Sequence, residues 1–171
     1  MKSIALICFM ACGKSTVGKA LAQELGYKFI DTDAEIEKVE GRAIPAIFEA
    51  DGEDYFRKVE SETLLKISRE PSSVISTGGG IISRPENIKT LKENCYVVFL
   101  DVPFEVMAQR AETNDNRPLF RDREKAYALW LKRYDLYRST ADMIYDSHED
   151  IVLKSARHIA ECYRAFLKKH K

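Results

Sequence analysis

Cys8-Phe9-Met10-Ala11-Cys12-Gly13-Lys14-Ser15-Thr16 is the stretch on which the reading of this chain turns. It follows an apolar run, residues 4–8, and leads into Val17, Ala20, Leu21 and Leu25, which recur at helical spacing until Gly26 supplies a stop. Strand, loop and helix in that order, with Gly-Lys-Ser at the turn, are the setting of a phosphate-binding loop. The residue types suit that task. Gly13 lets backbone N–H groups close around phosphate oxygens, Lys14 reaches the outer phosphates, and Ser15 offers its hydroxyl to Mg²⁺. Ala11, Cys12 and Thr16 complete the nucleotide-facing wall, and the helix starting here turns its positive end toward the anion. The usual pattern is Gly-x-x-x-x-Gly-Lys-Ser/Thr, and its first glycine is Cys8 here, adding a Cβ where close backbone approach or an unusual φ is expected. The plain alternative is a strand-to-helix turn with an ordinary surface lysine, which leaves the ordered match unexplained.

The 171 residues fit one domain, 1–171, and a chain of this size buries roughly 70% of its unfolded surface. Lys plus Arg and Asp plus Glu both total 27, for a formal net charge of +0. That balance offers no global electrostatic case for nucleic acid or an anionic membrane as partner. The apolar run near the N-terminus lacks the length and cleavage site of a signal peptide, and no stretch is long enough to span a bilayer. Four cysteines, Cys8, Cys12, Cys95 and Cys162, are placed sparsely and fit free thiols in a reducing compartment, so a cytoplasmic protein is expected. Cys8 and Cys12 have no histidine or second close pair beside them to make a metal site.

Further along, residues 27–30 read as a second strand, and Thr32-Asp33-Ala34-Glu35 has the form of a helix capping box, with Asp31 and Asp33 at the strand exit. Pro45 opens a short helix, Asp51-Gly52 turns the chain, and Phe56, Val59, Thr63 and Ile67 mark a longer helix with Arg57 beside its apolar face. Residues 74–77 form a third strand ending at Gly78-Gly79-Gly80, and Ser83-x-x-Glu86 with Pro85 starts another helix. Residues 95–100 are the most apolar strand. Asp101 after it reads as a helix cap, in competition with a metal-binding role. A helix follows Pro103, a polar break around Arg117-Pro118 suggests a mobile lid over about 112–124, and a helix runs from about Asp122 to Tyr137. Residues 143–145 are a short fifth strand and 151–167 a closing helix with a basic end.

Strands alternating with helices predict an α/β fold, a parallel sheet covered on both faces with ligands beyond the carboxyl ends of its strands. The phosphate loop, the Asp31/Asp33 pair and the glycine run each follow a predicted strand, so one crevice can collect all three. A guanine-reading Asn-Lys-x-Asp is absent, and the chain is short for a motor, which leaves a metabolite kinase as the simplest reading.

Several separated motifs make the chain resemble the shikimate kinase family from Ile4 to at least Asp142. They are Gly-Lys-Ser-Thr at 13–16, Asp-Thr-Asp at 31–33, Phe-Arg-Lys-Val-Glu at 56–60, Thr-Gly-Gly-Gly at 77–80, Arg-Pro-Leu at 117–119 and Leu-Tyr-Arg at 136–138. The resemblance implies a three-layer P-loop kinase fold with sheet order 2-3-1-4-5 and a mobile lid. It also implies ATP-dependent phosphorylation of the 3-hydroxyl of shikimate, on the route to chorismate and the aromatic amino acids, with Mg²⁺. By position, Asp33 would be the base, and Asp31 would orient water on the Mg²⁺ held by Ser15. Arg57 and Arg138 would bind the shikimate carboxylate, for which a guanidinium fork is well shaped. Gly78, Gly79 and Gly80 would let backbone approach the substrate ring. Arg117 would swing in from the lid to neutralise the transferring phosphoryl group, and Arg110 would flank the adenine. The rivals are another small-molecule kinase, such as a gluconate kinase, and a non-catalytic nucleotide-binding module; in each case a monomer is expected.

Overall fold

A computed structural model describes residues 2–112, 118–147 and 152–170. Five parallel strands, β1 (Ser3–Ile7), β2 (Lys28–Asp31), β3 (Ser73–Ser76), β4 (Cys95–Asp101) and β5 (Met143–Asp146), form one sheet in the order β2-β3-β1-β4-β5. β1 lies at its centre, with Ala5 between Ile75 and Val97, and Leu6 between Ser76 and Val98. All five β1 residues are buried, which is why the run is apolar without alternation: both faces of a parallel sheet are covered.

Helices α1 (Lys14–Leu25) and α7 (Val152–Lys169) pack together on one side; α4 (Pro85–Asn94) and α6 (Arg123–Thr140) cover β4 on the other, with α3 (Ile44–Ile67) against α4. α5 (Phe104–Glu112) leans on α6. The main core runs through the sheet, and a small second cluster, Ile36, Ile47, Phe56 and Val59, joins α2 (Thr32–Glu40) to α3. The expected turn at Asp51-Gly52 is a break inside α3, where Gly52 leaves helical geometry at φ 81°. That break sets Phe56 and Arg57 on a fresh helical segment, with Phe56 packed in the cluster against α2.

Three expectations about caps are corrected. Asp31, not Thr32, caps α2, its Oδ1 accepting from the N–H groups of Asp33 (3.1 Å) and Ala34 (3.4 Å). Thr32 is thereby free to accept the Gly78 N–H through its hydroxyl at 2.9 Å, tying the tips of β2 and β3 together. Ser83 ends a 3₁₀ turn, Ile81–Ser83, and α4 begins after Arg84 without a side-chain cap, because Pro85 already supplies the helical φ. Asp101 closes β4 and accepts from the Tyr134 hydroxyl at 2.8 Å, so it pins α6. Among the described residues no helix is long and apolar enough to cross a membrane.

The tips of β1, β2 and β3 are adjacent in the sheet, so the loops that leave them open on a common crevice. Chain order alone does not bring them together; the 2-3-1 pairing does.

Candidate functional site

The loop between β1 and α1 is shaped by two left-handed residues, Ala11 (φ 63°) and Gly13 (φ 90°), the second of which is the N-cap of α1. Cys8 keeps a φ outside the left-handed region, so the expected strain falls on Ala11. Lys14 is buried and lies along the loop, its Nζ donating to the carbonyls of Cys8 (2.9 Å) and Phe9 (3.0 Å) beside Cys12 Sγ (3.4 Å). Cys8 and Cys12 are joined by a disulfide across a Cα–Cα distance of 6.5 Å, which corrects the expectation of four free thiols. The curl of the loop brings two residues four apart within bridging reach. Cys95 and Cys162 are free.

Ser15, in the first turn of α1, donates its hydroxyl to Asp31 Oδ2 at 3.0 Å. Asp31 thus serves two elements at once, one oxygen capping α2 and the other facing the phosphate loop. A serine hydroxyl and a carboxylate side by side are hard oxygen donors, the set that Mg²⁺ favours, so these two residues fit that ion.

Asp33 follows on the first turn of α2. The residue is open to solvent from the crevice mouth, yet its carboxylate lies deep enough that a Cβ on Gly78 would come within 3.1 Å of Oδ1. Loss of water around it pushes its pKa up to about 6, the nearby charges of Asp31 and Glu60 add to the rise, and Lys14 opposes it. Across Gly78 stands Glu60, whose Oε1 would lie 3.0 Å from the same Cβ. Glu60 is 1% exposed, and burial raises its pKa while Arg57 draws it back down. Arg57 Nη1 donates to Glu60 Oε2 at 2.7 Å, and its Nη2 reaches Glu53 at 3.4 Å. A buried carboxylate thus holds the guanidinium with one face turned to the glycine run: a Cβ on Gly80 would lie 2.7 Å from Arg57 Cζ.

Gly79 faces the other way. A Cβ there would meet Met10 N at 3.4 Å and Cys8 O at 3.6 Å, so the close backbone approach expected at Cys8 is made by Gly79 from the opposite side. Its carbonyl accepts from Tyr137 Oη at 2.5 Å and Arg133 Nη1 at 3.3 Å. Arg133, Tyr137 and Glu60 were not singled out as site residues from the sequence. Arg138, which was, lies elsewhere: its guanidinium meets Tyr134 Oη at 3.3 Å and Asp101 at 3.6 Å, and its side chain is 48% exposed. Arg133 and Tyr137 are one helical turn apart and share a face of α6, whereas Arg138 falls about 100° further round. Arg110, on α5, donates to the Cys12 carbonyl at 3.2 Å and borders the loop next to Gly13. Thr16 lies in the first turn of α1, with its N–H on the Gly13 carbonyl at 3.1 Å. Arg117 and residues 113–116 of the lid expected around it lie outside the described residues.

The crevice therefore sets an anion-binding loop and a lysine against a carboxylate with a raised pKa, with a carboxylate-held arginine and a second arginine behind exposed backbone. Such a set can hold a polyphosphate and an anionic alcohol together and accept a proton from the alcohol.

A family model described as Shikimate kinase matches residues 10–164. A shikimate kinase of Dehalococcoides mccartyi is 40% identical over 170 residues, 98% of this chain and 94% of that protein. Among solved structures, a shikimate kinase from Acinetobacter baumannii in complex with shikimate superposes with a TM-score of 0.91 at 35% identity, covering 96% of this chain and 94% of the other. A gluconokinase from Sinorhizobium meliloti superposes with a TM-score of 0.58 at 18% identity, covering 95% of both chains, a likeness of fold alone.

Proposed function

This chain belongs to the shikimate kinase family and is an ATP-dependent shikimate kinase; from that premise we propose how its residues move the γ-phosphoryl group of ATP to the 3-hydroxyl of shikimate. One observation carries the assignment of roles. The glycine run after β3 touches the phosphate-loop backbone through Gly79 while Gly78 and Gly80 border Asp33, Glu60 and Arg57, so donor and acceptor halves share a wall.

The N–H groups of Ala11 to Thr16 and the Lys14 ammonium bind the β- and γ-phosphates, Lys14 exchanging loop carbonyls for phosphate oxygens as ATP enters. Ser15 and Asp31 would hold Mg²⁺, which would offset the negative charge on the phosphates. Asp33 accepts the proton of the 3-hydroxyl as the oxygen attacks; its raised pKa makes it a stronger base than an ordinary aspartate. Arg57 and Arg133 bind the shikimate carboxylate, with Arg133 taking the part expected of Arg138. Backbone at Gly78 to Gly80 lies under the ring. Arg117 neutralises charge on the transferring group from the lid, and Arg110 flanks the adenine beside Cys12.

The need for ATP supports a cytoplasmic setting, the even charge balance supplies no electrostatic pull toward nucleic acid or an anionic membrane, and we read the chain as a single-domain monomer. A coupled ADP-release assay tests the reading. Turnover is expected with shikimate and not with gluconate; turnover with gluconate, or ATP binding with no turnover of either, overturns it.

A further inference from the structure

Tyr137 is 0% exposed, yet its hydroxyl is not left to satisfy a random buried group: it reaches the carbonyl of Gly79 at 2.5 Å. Its ring is stacked on Phe99 of β4 at 5.3 Å and 14° between planes, so the hydroxyl is delivered from a rigid base on the sheet. The Gly79 carbonyl belongs to the peptide that ends in the Gly80 N–H. That peptide is constrained on every side, by Met10 and Cys8 backbone next to Gly79, by the Arg57 guanidinium over Gly80, and by Tyr137 and Arg133 at its oxygen. The Arg133 contact is the longer of the two at 3.3 Å, and it engages the same side chain that the acceptor carboxylate needs.

From this juxtaposition we infer that Tyr137 is a positioning residue for the acceptor. Its hydroxyl holds the Gly79–Gly80 peptide in place and satisfies the carbonyl, so that Arg133 can turn its fork to the substrate carboxylate without stranding a buried acceptor. Were the hydroxyl absent, Arg133 would be the remaining donor to Gly79 O among the described residues, and each substrate molecule would have to compete for it. The inference rests on the acceptor-site reading above. It differs from a merely structural role, in which the hydroxyl only satisfies a buried carbonyl and its loss lowers stability alone.

Tyr137→Phe keeps the stacked ring and removes only the hydroxyl. Steady-state kinetics with shikimate and ATP varied separately should show a shikimate KM raised about 5-fold, with kcat and the ATP KM within about 2-fold of wild type. Shikimate binding read through the fluorescence of Trp130, the chain's one tryptophan, should weaken by the same factor. An unchanged shikimate KM and affinity, whatever the melting temperature, overturns the inference, as does a parallel rise in both KM values. Arg57→Ala serves as the control. If it leaves shikimate affinity unchanged, the acceptor-site reading itself fails; if it weakens binding while Tyr137→Phe does not, only the role of Tyr137 falls.

Discussion

At Ala11 the backbone turns into the left-handed region, φ 63°, while the neighbouring Cys8 does not. A Cβ in that conformation costs about 1–2 kcal/mol. Glycine there would relieve the crowding but add freedom to the unfolded chain, which returns about 0.4–1 kcal/mol of the gain. The balance favours glycine by on the order of 1 kcal/mol, which for a chain of this length is about 2–4 °C in melting temperature. Ala11→Gly is therefore expected to melt higher by calorimetry, with an ATP KM no worse than wild type. A lower melting temperature would mean that the buried methyl contributes more packing than its strained backbone costs. Cys8 and Ala11 both stand where the resembled family usually has glycine; Ala11 carries the unusual backbone, whereas Cys8 sits buried in ordinary geometry and the close approach expected there comes from Gly79. Backbone angles and partners from a distant strand tip are not readable from one residue's identity.

Among the elements, α6 shows how helical phase decides which side chains face the crevice. It carries Arg133 and Arg138 beside Tyr134 and Tyr137, and charged residues on most of its faces. With little apolar stripe to fix the rotation, nothing local says which arginine turns toward the crevice. The tertiary contacts settle it: Tyr137 packs on Phe99, Tyr134 bonds Asp101, and Arg133 is left facing Gly79. Arg133→Ala should raise the shikimate KM roughly 10–100-fold, the range of a lost charge-assisted hydrogen-bond pair. Arg138→Ala removes an exposed ion pair and should change it less than about 2-fold. The reverse ranking in initial-rate kinetics would return the carboxylate to Arg138. The phosphate loop, by contrast, was legible from the chain, because strand, turn, Lys14 and Ser15 are contiguous and their chemistry is local. So were the elements themselves, Gly52 break included, because short apolar strands and periodic helices alternate cleanly. The cap of α2 was misplaced because short polar residues, Asp31, Thr32 and Asp33, stand together at its start, and the expected Ser83 cap is not made because Pro85 already sets the first turn of α4.

Across the whole molecule, the sheet order gathers carboxylates that the chain keeps far apart. Asp33, just past the exit of β2, and Glu60, from α3, meet at Gly78, with Asp31 two residues before Asp33 adding its charge. Like charges drawn into one crevice oppose folding, and the raised pKa of Asp33 gives that opposition a pH signature. Its folded pKa, about 6, exceeds the ordinary aspartate value of 3.8, so between the two the folded state binds more protons than the unfolded one. Stability from this residue is therefore present below about pH 4 and is lost as pH rises through about 6. In metal-free buffer, Asp33→Asn should melt close to wild type near pH 4 and a few degrees higher at pH 7, while turnover is abolished. The variant removes the repulsion that Asp31 and Glu60 exert on Asp33, so the comparison reads that crowding. Should the variant melt lower at neutral pH, the carboxylate would be a structural partner of its surroundings rather than a base kept in an unfavourable place. The expected crossing ties the two observations together: the withdrawal from water that makes Asp33 able to take a proton is the same one that makes the folded enzyme less stable for carrying it.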